Sequence, residues 1–147
     1  MPKIFTFAII VICSLFFACQ EQKLPENLPE RVNFNFHIQP ILSNNCYQCH
    51  GPDSSSRKAN LRLDIEAIAK EALENGKYII HAGNARKSKL IDRITSSDPD
   101  YQMPPPENGK PMNEREIALL KKWIDQGAEW KAYWAFEAPD LPNNKAF

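Results

Sequence analysis

Glycine is scarce in this chain, with five residues in 147, while proline reaches twelve. Loops of that composition are stiff, and they exclude a flexible Gly/Ser linker. No charge is in excess. Eighteen basic residues balance eighteen acidic ones, which removes the electrostatic case for nucleic acid, whose binders carry a basic face. No apolar run reaches the ~20 residues of a membrane-spanning helix. Cysteine is limited to Cys13, Cys19, Cys46 and Cys49. There is no second C-x-x-C to complete a zinc set, and no βαβ context for a thioredoxin-like thiol pair. What remains is ample apolar material, 43% of residues with 10% aromatic, enough for one small packed domain.

The longest apolar run, Ile4 to Ala18, is interrupted only by Thr6 and Ser14 and follows Lys3. It fits the h-region of a secretory signal. Leu15-Phe16-Phe17-Ala18-Cys19 resembles a bacterial lipobox, with Phe16 where Leu is usual. The expected division is a lipoprotein-type signal over 1–18, with Cys19 lipidated, and a polar, proline-containing tether over 19–31. Plain secretion and a retained anchor are the alternatives. On any of these routes Cys13 leaves with the signal or stays in the membrane, so Cys46 and Cys49 have no disulfide framework to join.

Those two cysteines stand in Cys46-Tyr47-Gln48-Cys49-His50, the C-x-x-C-H attachment pattern for haem c. Two thiols a turn apart can add to the two vinyl groups of one haem. The histidine that follows at once can reach the iron from the proximal face. Four Cys and three His in 147 residues make a chance match about two in a thousand. A zinc site, a redox dithiol and a structural disulfide are the competing readings. Haem c is attached outside the bacterial cytoplasm, which agrees with the signal.

The folded part opens at Val32. Phe34, Ile38, Ile41 and Leu42 recur at helical spacing and predict a short helix over Asn35 to Ser43 that delivers the motif. Pro40 within it calls for a kink or a late start near Ile38. His37 reads as an exposed or capping residue rather than a distal ligand. A loop follows at Gly51 to Ser56. Arg57 and Lys58 either approach the haem propionates or are simply solvated. Leu61 and Leu63 suggest a brief extended piece. Asp64 is a candidate N-cap for a helix from Ile65 to about Glu74, stopped by Asn75-Gly76. Tyr78 to Ile80 form a short buried run, and His81 falls in a turn. Ser88 to Thr95 is the next helix, with Leu90, Ile91 and Ile94 inward. Met103-Pro104-Pro105-Pro106 cannot be helix interior. Pattern alone leaves Met103 evenly between a distal iron ligand and a gap-filling core methionine. Asn113 and Glu116 make a capping-box variant for a final helix whose apolar face is Ile117, Leu119, Leu120, Trp123 and Ile124, closed by Gly127. Trp130, Trp134 and Phe136 make an aromatic tail expected to fold back or to meet a partner.

Taken together, these stretches resemble the planctomycete-type cytochrome c domain. The residues carrying the resemblance are Val32-Asn33-Phe34, Ile38-Gln39-Pro40-Ile41-Leu42, Cys46 to Asp53, Arg57-Lys58-Ala59, Leu61-Arg62-Leu63-Asp64, Ser88-Lys89-Leu90-Ile91, Met103 to Pro106, and Trp123 to Trp130. The resemblance implies an all-α, small cytochrome c-like fold over 32–136, with one covalent haem and short irregular or extended connections. Residues 137–147 are then a proline-rich tail or linker. It implies Cys46 and Cys49 as thioether anchors, His50 as proximal ligand and Met103 as distal ligand. His81 departs from the family, which shows Pro before the Gly, and so reads as a local variant. Members of the family continue into large further domains, so a stand-alone cytochrome and the first part of a longer protein are both consistent with the chain.

The function expected is electron transfer in the cell envelope, with no catalytic residues. The partners are redox donor and acceptor proteins or a fused domain, the membrane through the lipid anchor, and no nucleic acid. The alternatives are a haem peroxidase or gas-binding domain, and a binding module that haem merely stabilises.

Overall fold

The computed structural model describes residues 27–108 and 111–131. Cys19, the signal segment, Trp134 and Phe136 lie outside the described residues. Among those described, the chain is helical with no strand ladder. Only isolated bridges occur, Ala72 with Tyr78 and Tyr78 with Ser88. The all-α expectation stands over this part of the chain.

The first turn, Phe34–Ile38, is π-type, with Gln39 N–H donating to the Phe34 carbonyl. Asn33 caps it, its side chain accepting from Phe36 N. Helix α1, Gln39–Asn45, starts only after that turn and carries Pro40 in its own first turn. The late start is what Pro40 demands, because a proline costs nothing where the N–H is unpaired anyway. Cys46 leaves helical geometry and separates α1 from α2, Tyr47–His50.

The stretch after the motif departs from the sequence expectation. The helix predicted from Ile65 to Glu74 is a single turn, α3, Glu66–Ala69. Its N-cap is Ile65, without a side-chain cap bond. Asp64 is occupied elsewhere, accepting from Arg62 Nε at 2.7 Å. Beyond Ala69 the backbone is drawn into non-helical pairing. Leu73 N donates to the Lys77 carbonyl at 2.7 Å and Ile80 N to the Ala69 carbonyl at 3.1 Å. Leu61 and Leu63 form no strand. Of the apolar run Tyr78 to Ile80, only Ile80 is fully buried.

Helix α4, Lys89–Ile94, follows a 3₁₀ turn at Ala85–Lys87. Helix α5, Glu114–Asp125, is the longest, and both bonds of its Asn113/Glu116 capping box are made. Its end is a Schellman motif. Ala128 N donates to the Trp123 carbonyl and Gly127 N to the Ile124 carbonyl, each at 2.9 Å. Gly127, at φ 104°, supplies the left-handed step.

The core is where α5 meets the first turn, α4 and the 3₁₀ turn at Ala85–Lys87, with α1 packed on the first turn. Phe34, Trp123 and Trp130 form an aromatic triad, with centroids 4.8–5.8 Å apart. Trp123 is buried and its indole N–H donates to the Glu129 carbonyl at 3.0 Å. Its burial contributes up to about 4–6 kcal/mol on an area basis. The triad is thus core packing, and Trp130 folds back as the aromatic tail predicted. Residues 27–31 also lie against α5. Arg115 donates to the Asn27 carbonyl and the Gln126 amide to the Glu30 carbonyl. No described helix is long and apolar enough to cross a membrane.

Candidate cofactor site

The chain leaves a cavity of about 580 Å³, within the roughly 300–1,000 Å³ range of small-molecule and cofactor sites. Its walls come from four places, one of them Leu73, Asn75 and Ile79 in the irregular stretch after α3. The motif supplies Cys46, Cys49 and His50. The return loop supplies Ala59, Leu61 and Leu63. Helix α4 and the following loop supply Leu90, Arg93, Ile94, Tyr101, Met103 and Pro104.

The wall that holds the motif is set by local hydrogen bonds. The Cys46 carbonyl accepts from Cys49 N at 3.1 Å and from His50 N at 2.8 Å. This one turn brings both sulfurs and the imidazole onto the cavity. Gly51 then turns sharply away, so close to the preceding turn that a Cβ there would overlap the Tyr47 carbonyl oxygen. The loop returns onto the motif through Lys58 N to the Cys49 carbonyl at 2.7 Å and Leu63 N to the His50 carbonyl at 2.8 Å.

The two thiols are free and form no disulfide. Burial pushes the Cys46 thiol up to about 12, with the charge of Glu116 adding to it. A reactive redox thiol needs the opposite shift. Among the described residues no three His, Cys, Asp or Glu side chains gather as a metal-ion site. The zinc and redox-dithiol alternatives therefore lack a supporting environment. His50 has its Nδ1 buried without a well-formed hydrogen bond. Its pKa is lowered, chiefly by burial and further by the Arg93 charge, while the Lys58 backbone opposes the shift. A neutral imidazole is the form that binds a metal.

The wall that holds Met103 is carried by α4. Met103 N donates to the Arg93 carbonyl at 3.1 Å. Arg93 Nη1 donates to the Tyr101 carbonyl at 3.2 Å, and the guanidinium lies 4.1 Å from the centre of the Tyr101 ring. Lys89 Nζ reaches the Tyr101 hydroxyl at 3.1 Å. These contacts tie the loop before the proline run to one face of α4. The Met103–Pro104 peptide is cis.

The other candidate ligands lie elsewhere. His37 Nδ1 accepts from Asn33 N at 2.9 Å and so serves its own turn, as a capping residue would. His81 packs edge-on against Tyr78, with centroids 4.8 Å apart. Met112 is buried in the core. None of the three lines the cavity. Arg57 and Lys58 are also away from it. Arg57 donates to the Gly51 and Pro52 carbonyls, at 3.1 and 2.7 Å, and Lys58 is exposed. Sequence reasoning gave no role to Arg93, Lys89 or Tyr101. The available signal was the i, i+4 spacing of Lys89 and Arg93, which puts both on one helix face.

A small helical domain whose cavity is walled by a C-x-x-C-H turn and a Met-Pro loop resembles a c-type cytochrome domain. The model of the family described as Planctomycete cytochrome C matches residues 46–107, from the first motif cysteine past Met103 and the prolines, so the family resemblance read from the motifs is shown over that segment. No curated protein and no solved structure gives a match.

Proposed function

We propose that this chain is a one-haem electron-transfer module of the cell envelope. Cys46 and Cys49 would hold the haem as thioethers, His50 would be the proximal ligand and Met103 the distal ligand. One observation carries this reading: residues 53 positions apart in the chain, His50 and Met103, line one largely apolar cavity together with both cysteines. The donor set suits the group. A neutral imidazole and a thioether are the axial pair of electron-transfer cytochromes c, which raises the potential. The neutral His50 imidazole and the neutral Cys46 thiol are compatible with ligation and with addition to a vinyl group.

When bound, haem supplies a one-electron couple, and the protein's part is to hold and shield it. The apolar walls from Leu61, Leu63, Leu90 and Ile94 exclude water. With His50 and Met103 as its two ligands, a bound haem would have no open position for an added substrate, which ranks electron transfer above a peroxidase or gas-binding role.

The test is covalent attachment. Protein made with a cytochrome c maturation system should stain for haem on denaturing gels. The Cys46→Ala/Cys49→Ala variant should stain little, and a double variant that stains like the parent would sink the assignment. Export and anchoring at Cys19 belong to the same proposal. Mass spectrometry of protein made in a bacterial host should find Cys19 as the mature N-terminus with added acyl mass. Cleavage elsewhere, leaving a free Cys19, refutes the anchor alone.

A further inference from the structure

We propose that Arg93 is a positioning residue that receives a propionate carboxylate of the cofactor and, through the same side chain, fixes the loop bearing Met103. This rests on the haem reading above and extends it to a residue outside the motif. Arg93 lines the cavity and is only partly exposed. No Asp or Glu lines the cavity with it. Lys89, the other cation there, already has a carboxylate partner in Asp92, at 2.8 Å. Among the described residues Arg93 has none. Its guanidinium touches the Tyr101 ring and carbonyl, and its charge also bears on His50.

A partly buried guanidinium without a counter-ion is unfavourable, and haem brings two carboxylates. Arginine has five N–H donors in a planar fork. With one spent on the Tyr101 carbonyl, others remain for a carboxylate, the pairing in which arginine is strongest. The sequence offered Arg57 for this role, but both its contacts are loop carbonyls and it stands outside the cavity. The second half of the proposal follows from connectivity. The Arg93 carbonyl holds Met103 N, and its guanidinium holds Tyr101, two residues earlier. Anchoring Arg93 on the cofactor therefore also anchors the loop that presents the thioether.

The experiment uses the haem-loaded protein and three variants, Arg93→Gln, Arg93→Lys and Arg57→Gln. The readouts are the haem stain, the reduction potential and the sulfur-to-iron charge-transfer band of the oxidised form. Reduction adds a negative charge to the iron centre, so a nearby cation favours the reduced state. Arg93→Gln should keep its covalent haem, weaken the band, and lower the equilibrium constant for reduction about tenfold, ~59 mV for one electron. Arg93→Lys should recover the potential but not the full band, since it restores charge without the fork. Arg57→Gln should match the parent. The proposal is overturned if Arg93→Gln keeps the parental potential, or if Arg57→Gln shifts it as far. Should Arg93→Gln not fold, Arg93→Lys decides: a near-parental potential supports the role, and a tenfold fall despite the retained charge overturns it. A parent that neither stains nor shows the band overturns the haem reading itself, and this proposal with it.

Discussion

Met103 and Met112 are nine residues apart, yet the fold puts them to different uses, and replacing each by alanine separates ligation from packing. Met112 is buried among core residues and does not line the cavity. Met103 is half-buried and does line it. Truncating a buried methionine costs about 2–5 kcal/mol, depending on how far the site collapses. Met112 lies at the edge of the core, just before α5, so the lower part of that range applies, about 2–3 kcal/mol. In a domain of this size each kcal/mol moves the melting temperature by about 4–8 °C. Met112→Ala should therefore melt roughly 10–20 °C below the parent, while keeping its charge-transfer band and excluding carbon monoxide when reduced. Met103→Ala should lose the band, bind carbon monoxide and fall in potential. Thermal unfolding followed by circular dichroism, with absorption spectra of both oxidation states, measures all of this on the same samples. If Met112→Ala opens the iron and Met103→Ala does not, the assignment of the distal ligand is wrong. Electron transfer as the function would survive that result, because it requires only that the parent be six-coordinate.

Two further substitutions probe what holds the site in place. Gly51→Ala drives a Cβ into the Tyr47 carbonyl, and relief requires moving the turn that carries Cys49 and His50. The yield of haem-stained protein should drop several-fold while α5 helicity is kept, and an unchanged yield would show that the turn has slack. Asn113→Ala removes the side chain that accepts from Glu116 N at 2.9 Å. The expected loss is about 1 kcal/mol, seen as a lower denaturation midpoint at unchanged slope and with the haem spectrum unaltered.

How far the sequence could be read depended on whether the determinants are local. The C-x-x-C-H motif is legible because all its determinants are five consecutive residues. The last helix is legible for a similar reason: Asn113, Glu116 and Gly127 act on backbone groups within a turn of themselves. Pro40 correctly pointed to a late helix start. The reading failed between Asp64 and Ile80, where apolar residues at i, i+3, i+4 and i+7 suggested three turns of helix and the fold keeps one. Two competing partners decide this. Arg62 takes the Asp64 carboxylate that would have capped the helix. Lys77, Tyr78 and Ile80 draw the backbone of 69–73 into non-helical pairing with the returning segment. Neither partner is visible to a periodicity argument, which weighs only residues along one helix face.

The same distinction separates the two walls of the cavity. Cys46, Cys49 and His50 are placed by hydrogen bonds spanning three or four residues, so that wall forms wherever this short turn forms. Met103 is placed by α4, through the Arg93 carbonyl and the Tyr101 contacts. A sequence reading could find Met103 by its prolines but had no way to see what aims it, because Arg93 reads as a solvated charge until the fold shows the cavity beside it. The division has a functional consequence. Changes in the proximal turn should alter whether haem is attached at all, whereas changes in α4 should leave attachment intact and alter the sixth ligand and the potential. A redox module built this way can have its potential tuned through α4 without endangering cofactor incorporation.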